Sequence, residues 1–186
     1  MKKEIRVLGI DDGPFDKFND SEVIVIGAIY RGGSFIDGVI STHVKVDGDD
    51  STRKLVKMIN KCKFRPQLQA IILDGIAVGG FNVIDVADLN KKTGIPVIVV
   101  MRDYPDFKKI EKALIKLNHA EKIKLLKKAG KVHQLGDIFV QVIGLSLKQA
   151  EEIIDITCTH SLIPEPLRVA HLIASGVVDG ESRGRA

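Results

Sequence analysis

The stretch QAIILDGIA, residues 69–77, carries an apolar run that stops on Asp74 and Gly75. Ala70, Ile71, Ile72 and Leu73 lack the alternating polarity of a half-buried strand, so they suit a central strand covered on both faces. Open α/β sheets bind their ligands at the carboxyl ends of their strands, and the Asp74 carboxylate stands at such an end. A second stretch, IRVLGIDDGPF at 5–15, has the same shape, an apolar strand closing on Asp11, Asp12 and Gly13. The fold reading turns on whether the chain brings these acids together.

The elements between them decide that. Residues 5–10 read as a first strand, 21–31 as a second rich in β-branched side chains, and 34–46 as a third. Gly32 and Gly33 supply a hairpin turn, and the short links favour antiparallel pairing of all three. In DGDDSTRKLVKMINKC, residues 47–62, Asp49, Asp50 or Ser51 can cap a helix in which Leu55, Val56 and Ile59 repeat at helical spacing. The strand at 69–73 follows that helix, so a right-handed crossover sets it parallel to an earlier strand. A glycine-rich loop then leads to a short helix at 83–92 and a fifth strand at 95–101. Two lysine-rich helices follow, then a hairpin with arms 132–135 and 138–143, a helix capped by Ser146, and a last helix opened by PEPLRVAHLIASG at 164–176.

The expected fold is therefore α/β, a mixed five-stranded core sheet flanked by helices, with an extra C-terminal hairpin and helices. No repeat or linker breaks the chain, so one domain over 1–186 is expected, with 179–186 as a flexible tail. If the 69–73 strand docks beside the first, Asp11 and Asp74 end on neighbouring strands about 5–7 Å apart, from strand spacing. Such a pair repels itself unless a proton or cation intervenes. Carboxylates around a hard divalent ion form an arrangement suited to phosphoryl-transfer chemistry.

The bulk composition is that of an ordinary globular protein: 186 residues, 45% hydrophobic and 28% charged, net charge +4. No apolar run approaches the ~20 residues of a membrane-spanning helix, and the start MKKEIRV lacks a signal peptide's separate apolar region. A cytoplasmic protein is expected, with Cys62 and Cys158 reduced and no zinc motif. The charge is uneven. Residues 107–131 hold nine lysines against Glu111 and Glu121, which leaves +7 there and a slightly acidic remainder. Lys108, Lys109, Lys112, Lys116, Lys124, Lys127 and Lys128 could steer a polyanion. They equally suit the solvated face of amphipathic helices whose Ile110, Leu114, Leu117, Ile123 and Leu126 point inward.

The strand-end acids resemble the ribonuclease H-like fold and, more specifically, endonuclease V. GIDDG at 9–13 is similar to that family's first-strand motif and matches Asp11. AIILDGIAVGGFNVIDVADLNKKTGIPVIVV resembles its segment around the second metal aspartate and matches Asp74-Gly75 and Ile95-Pro96. LSLKQAEEIIDITCTHSLIPEPLRVAHLIA is similar to its final helices. Overall the chain looks like a member of the archaeal domain-of-unknown-function family 99, an endonuclease V-like relative. The resemblance implies a nuclease that cuts DNA or RNA with Mg²⁺ or Mn²⁺ held by Asp11 and Asp74. Three features depart from endonuclease V. Asp50 or Asp49 stands where that family has a glutamate, the histidine before its penultimate helix is missing from VQVIGLSL, and that family's proline-tyrosine wedge has no counterpart between Lys45 and Ser51.

The expected catalytic set is Asp11, Asp74 and Asp50, with Asp12, Asp49 and Gly75 as secondary candidates. Asp12 and Asp50 also have structural readings, as a turn acid and a helix cap, and Gly75 a conformational one. His133 is the best substitute for the missing histidine, whereas His160 and His171 read as surface or packing residues and His43 lies in the third strand. Two further functions stay open: a non-catalytic nucleic-acid-binding module, and a small-molecule hydrolase or nucleotide-binding protein using the same cleft.

Overall fold

Parity along the apolar runs explains how a computed structural model, describing residues 3–182, builds two cores on one sheet. The order is β1 (Arg6–Asp12), β2 (Glu22–Arg31), β3 (Phe35–Lys45), α1 (Ser51–Lys61), β4 (Leu68–Asp74), β5 (Ala77–Val78), β6 (Asn82–Val83), α2 (Val86–Thr93) and β7 (Val97–Met101). After these come α3 (Phe107–Lys116), α4 (Ile123–Lys128), β8 (His133–Leu135), β9 (Ile138–Ile143), α5 (Leu147–Thr157) and α6 (Glu165–Asp179). Leu8, Ile10, Ile71, Leu73, Val97 and Val99 face a core with Leu55 and Ile59 of α1 and Leu89 of α2. Val7, Ala70, Ile72, Ile98 and Val100 face the other, with Ile153 of α5 and Leu167, Ala170 and Ala174 of α6. Burial on both faces is why these strands read as continuous apolar runs.

The sheet order is β3-β2-β1-β4-β7-β9-β8. β1 and β2 are antiparallel, as are β2 and β3, while β4 lies parallel to both β1 and β7. The crossover expected after α1 is thus present. Two details differ from the sequence reading. The late hairpin is no appendage, because β9 pairs antiparallel with β7 and the sheet has seven strands. β7 offers an open edge of main-chain groups, and a strand rich in Val and Ile satisfies it. The glycine-rich loop also contains a small ribbon, β5 paired with β6, that delays the start of α2 to Val86.

Both Cys62 and Cys158 are free thiols. No helix among the described residues is long and apolar enough to cross a membrane. Of the tail expected to be flexible, 183–186 lie outside the described residues, and α6 runs to Asp179 before Gly180 caps it in a left-handed conformation.

Candidate metal centre

Asp11 and Asp74 lie one position beyond the Ile10–Leu73 pair on parallel strands. In-register neighbours on parallel strands project to the same face, here the face covered by α6. Gly9, two residues before Asp11, lets α6 approach, because a Cβ there would run into the Pro166 backbone. That approach brings His171 against β1, with Nδ1 2.9 Å from Asp11 Oδ2. The other oxygen, Asp11 Oδ1, accepts the Asp12 backbone N–H at 2.9 Å. Asp12 points to the opposite face, where Oδ2 accepts the Gly79 N–H at 2.7 Å. Arg102, just past β7, places Nη1 3.7 Å from Asp74 Oδ2, a long and partly exposed contact that binds Asp74 only weakly.

The local charge balance is strained. Burial, then the Asp74 and Asp12 charges, push the Asp11 carboxyl from its ordinary 3.8 up to about 7, against the lowering effect of the Asp12 N–H and His171. Burial also raises Asp12 despite its Gly79 hydrogen bond. It raises Asp74 too, despite the Arg102 and His171 charges. Three neighbouring carboxyls all held above their normal range constitute a site that favours a proton or a cation.

The endonuclease V resemblance implies a divalent metal ion at this face of the sheet. Among the described residues no group of three or more His, Cys, Asp or Glu side chains is arranged to hold an ion. What is present is a pair of all-oxygen donors, Asp11 and Asp74, on one face. Mg²⁺ and Mn²⁺ are commonly held by one or two carboxylates, with water and substrate phosphate completing the shell. The donor chemistry fits such an ion.

The model of the endonuclease dU family matches residues 3–178. The chain belongs to the endonuclease dU family. A UPF0215 protein of Methanothermobacter thermautotrophicus is 45% identical over 192 residues, spanning 100% of this chain and 94% of the relative. A protein of unknown function from Archaeoglobus fulgidus, solved by crystallography, is 39% identical with a TM-score of 0.87, covering 93% of this chain and 98% of that one. Endonuclease V of Ciona intestinalis, solved in complex with a 24mer DNA containing an inosine followed by a ribo-adenosine, has a TM-score of 0.56 at 17% identity. That alignment covers 90% of this chain and 83% of the Ciona chain, a likeness of fold. The family is thus archaeal and endonuclease V-like, with a mixed sheet flanked by helices.

Several expected site residues have other duties in this family member. Asp50 occupies the N-cap position of α1 without capping it. Its Oδ1 accepts from the Lys45 N–H at 3.1 Å and from Asn82 Nδ2 at 2.8 Å. Burial alone would raise it, but the Asn82 and Lys45 hydrogen bonds outweigh that and hold it below the usual carboxylate range. Asp50 is thus bound into the β3–α1 turn, and neither it nor Asp49, which is exposed, figures among the charges acting on Asp11. Gly75 takes a left-handed φ of 78° and donates its N–H to Val100 O at 2.9 Å, which turns the chain away immediately after Asp74.

The seven lysines named from sequence are all exposed. Lys128 pairs with Asp85 at 2.9 Å. α3 and α4 pack through Leu114 and Leu126 on Val83, Ile76, Ala77 and Phe81, the ribbon that follows Asp74. His133 sits on β8 at the far edge of the sheet, and the histidine that meets Asp11 is His171. The sequence held a signal for His171. It lies four residues after Leu167 and three before Ala174, on the inward stripe of α6, where a polar side chain needs a partner. Arg102 had no comparable signal.

Proposed function

We propose that this protein is a Mg²⁺- or Mn²⁺-dependent endonuclease that cleaves a phosphodiester bond in DNA bearing a deaminated base. The observation that carries the reading is the Asp11–Asp74 pair on one face of the sheet, with His171 2.9 Å from Asp11. The family's name points to deoxyuridine as the base, and the inosine-containing DNA held by the Ciona fold neighbour supports a deaminated base as the feature recognised.

Asp11 and Asp74 would hold the ion. The chemistry it supplies is Lewis-acid polarisation of the scissile phosphate and activation of water. The Asp12 N–H and His171 Nδ1 fix both oxygens of Asp11, so its carboxylate is oriented before substrate arrives. With Nδ1 engaged, Nε2 is the His171 atom left to exchange a proton with a reacting oxygen. Arg102 provides a positive charge beside Asp74 for a phosphate oxygen. Exposed lysines of α3 and α4 would contact the backbone further along.

Calorimetric titration of Mn²⁺ into wild type and Asp74→Asn tests the site, followed by incubation with duplexes containing one deoxyuridine, one inosine or neither. Saturable binding lost in the variant, with cleavage confined to a damaged duplex, is the expected result. Cleavage that persists in Asp74→Asn refutes the assignment. Asp50's engagement in a turn favours one other reading, a non-catalytic nucleic-acid-binding module. That module's affinity for DNA would fall steeply with salt, need no metal and lead to no cutting.

A further inference from the structure

Lys122, just before α4, is the one lysine of the basic segment that is buried, at 4% exposure. Its ammonium donates to three backbone carbonyls: Gly48 O at 2.7 Å, Asp47 O at 2.9 Å and Phe81 O at 2.9 Å. Three acceptors match the three N–H bonds of an ammonium. A buried cation so satisfied is costly to place and costly to disturb. Burial also lowers its pKa, offset in part by Glu121, Asp49 and Asp47. The carbonyls come from two separate loops, the β3–α1 turn and the β5–β6 ribbon, so one side chain of the lysine-rich segment ties both together.

Those loops lead to the acid cluster through short contacts. The Phe81 N–H donates to Asp47 Oδ1 at 2.8 Å, and the Asp47 N–H to Gly79 O at 2.8 Å. Gly79, held at a φ of 57°, donates its N–H to Asp12 Oδ2 at 2.7 Å. The Asp12 N–H in turn holds Asp11 Oδ1. The Gly79 N–H is the short contact on Asp12 Oδ2 and comes from the loop, so the loop's position orients that side chain. Gly80 leaves no room for slack, since a Cβ there would collide with the Asp47 carboxylate.

We propose that Lys122 is a positioning residue for the acid cluster: by clamping the ribbon loop it holds the Gly79 N–H on Asp12, and through Asp12 it orients Asp11. The inference rests on the metal-site reading of Asp11 and Asp74 and adds a residue to it. The consequence is that the basic helices are more than a surface for polyanions. Their docking, through Lys122, sets the geometry of the carboxylates.

Lys122→Met keeps the length and apolar stem of the side chain while removing the ammonium. Two measurements on the full chain read the effect: amide hydrogen exchange at Gly79 in EDTA, and Mn²⁺ affinity by calorimetry. Exchange at Gly79 is expected to quicken by at least about tenfold while Leu73 and Val99, in the central strands, stay protected. Mn²⁺ affinity should fall by about tenfold, as when outer hydrogen-bond partners of metal ligands are removed. If Lys122→Met does not fold, Asp47→Gly cuts the same chain at the Phe81 N–H and suits the Asp47 φ of 53°. A clamp that only docks the helices would lower the melting temperature and leave both readouts unchanged, which overturns the proposal. Loosened Gly79 with unaltered Mn²⁺ affinity overturns it equally. Absence of Mn²⁺ binding in wild type refutes the metal reading instead, and the Gly79 exchange rate still decides whether Lys122 positions Asp12.

Discussion

The raised Asp11 carboxyl makes the metal-free protein weaker at alkaline pH, and the size of the effect follows from the structure. Asp11 is pushed from 3.8 to about 7 by burial first and by its acidic neighbours second. A carboxyl whose folded pKa exceeds its unfolded one contributes stability that is fully present below about 3.8 and is lost as pH rises through about 7. Between pH 5 and pH 8 the loss amounts to roughly 2–3 kcal/mol. For a chain of this size that is about 5–10 °C of melting temperature. Asp12 and Asp74 are raised as well and act in the same direction. Asp37 and Asp85 are lowered by their Arg31 and Lys128 partners, so their contribution is lost only in more acid solution. Asp11→Asn removes the Asp11 ionisation and most of its repulsion on the neighbours. Urea unfolding in EDTA at pH 5 and pH 8 should therefore show a clear drop for wild type and a drop smaller by about 2 kcal/mol for the variant. An equal pH dependence in the two proteins would refute the account of a frustrated acid pair.

Other perturbations probe the surrounding machinery. Gly9→Ala drives a methyl into the Pro166 backbone and should cost about 1–3 kcal/mol in chemical denaturation, with any surviving fold showing a weakened His171–Asp11 contact by histidine NMR. His171→Ala should slow cleavage by about 10²-fold or more and move the acid limb of the pH–rate profile upward, since the His171 hydrogen bond lowers Asp11; an unmoved limb counts against their coupling. Reversing Lys108, Lys109 and Lys112 to Glu should weaken DNA binding and flatten the dependence of log K on log salt by about 0.9 for each lysine that meets a phosphate. Fluorescence anisotropy across a salt series measures this, and an unchanged slope removes α3 from the interface.

The sequence by itself determined the layers and the edge. Uniformly apolar runs at 70–73 and 97–100 required a sheet buried on both faces, and the helix between β3 and β4 required a parallel return. Those two facts put Asp11 and Asp74 at the same edge, and the β1–β4 pairing of the fold makes them neighbours. Local patterns also located the Ser146 cap, which the structure completes as a capping box with Gln149, and the late hairpin. Tertiary structure decided the rest, because it depends on which distant atoms meet. Asp50 follows a β-strand and precedes a helix in either reading, and only the fold delivers Asn82 to claim its carboxylate. Lys122 looks like its eight neighbours in a lysine-rich segment until two loops bring three carbonyls to its ammonium. His171 meets Asp11 across 160 residues, and that contact exists because a glycine on β1 allows a helix backbone to come close. Period and polarity specify how a segment pairs and which face it buries. A hydrogen bond between remote side chains is specified by packing, which no single stretch of sequence contains.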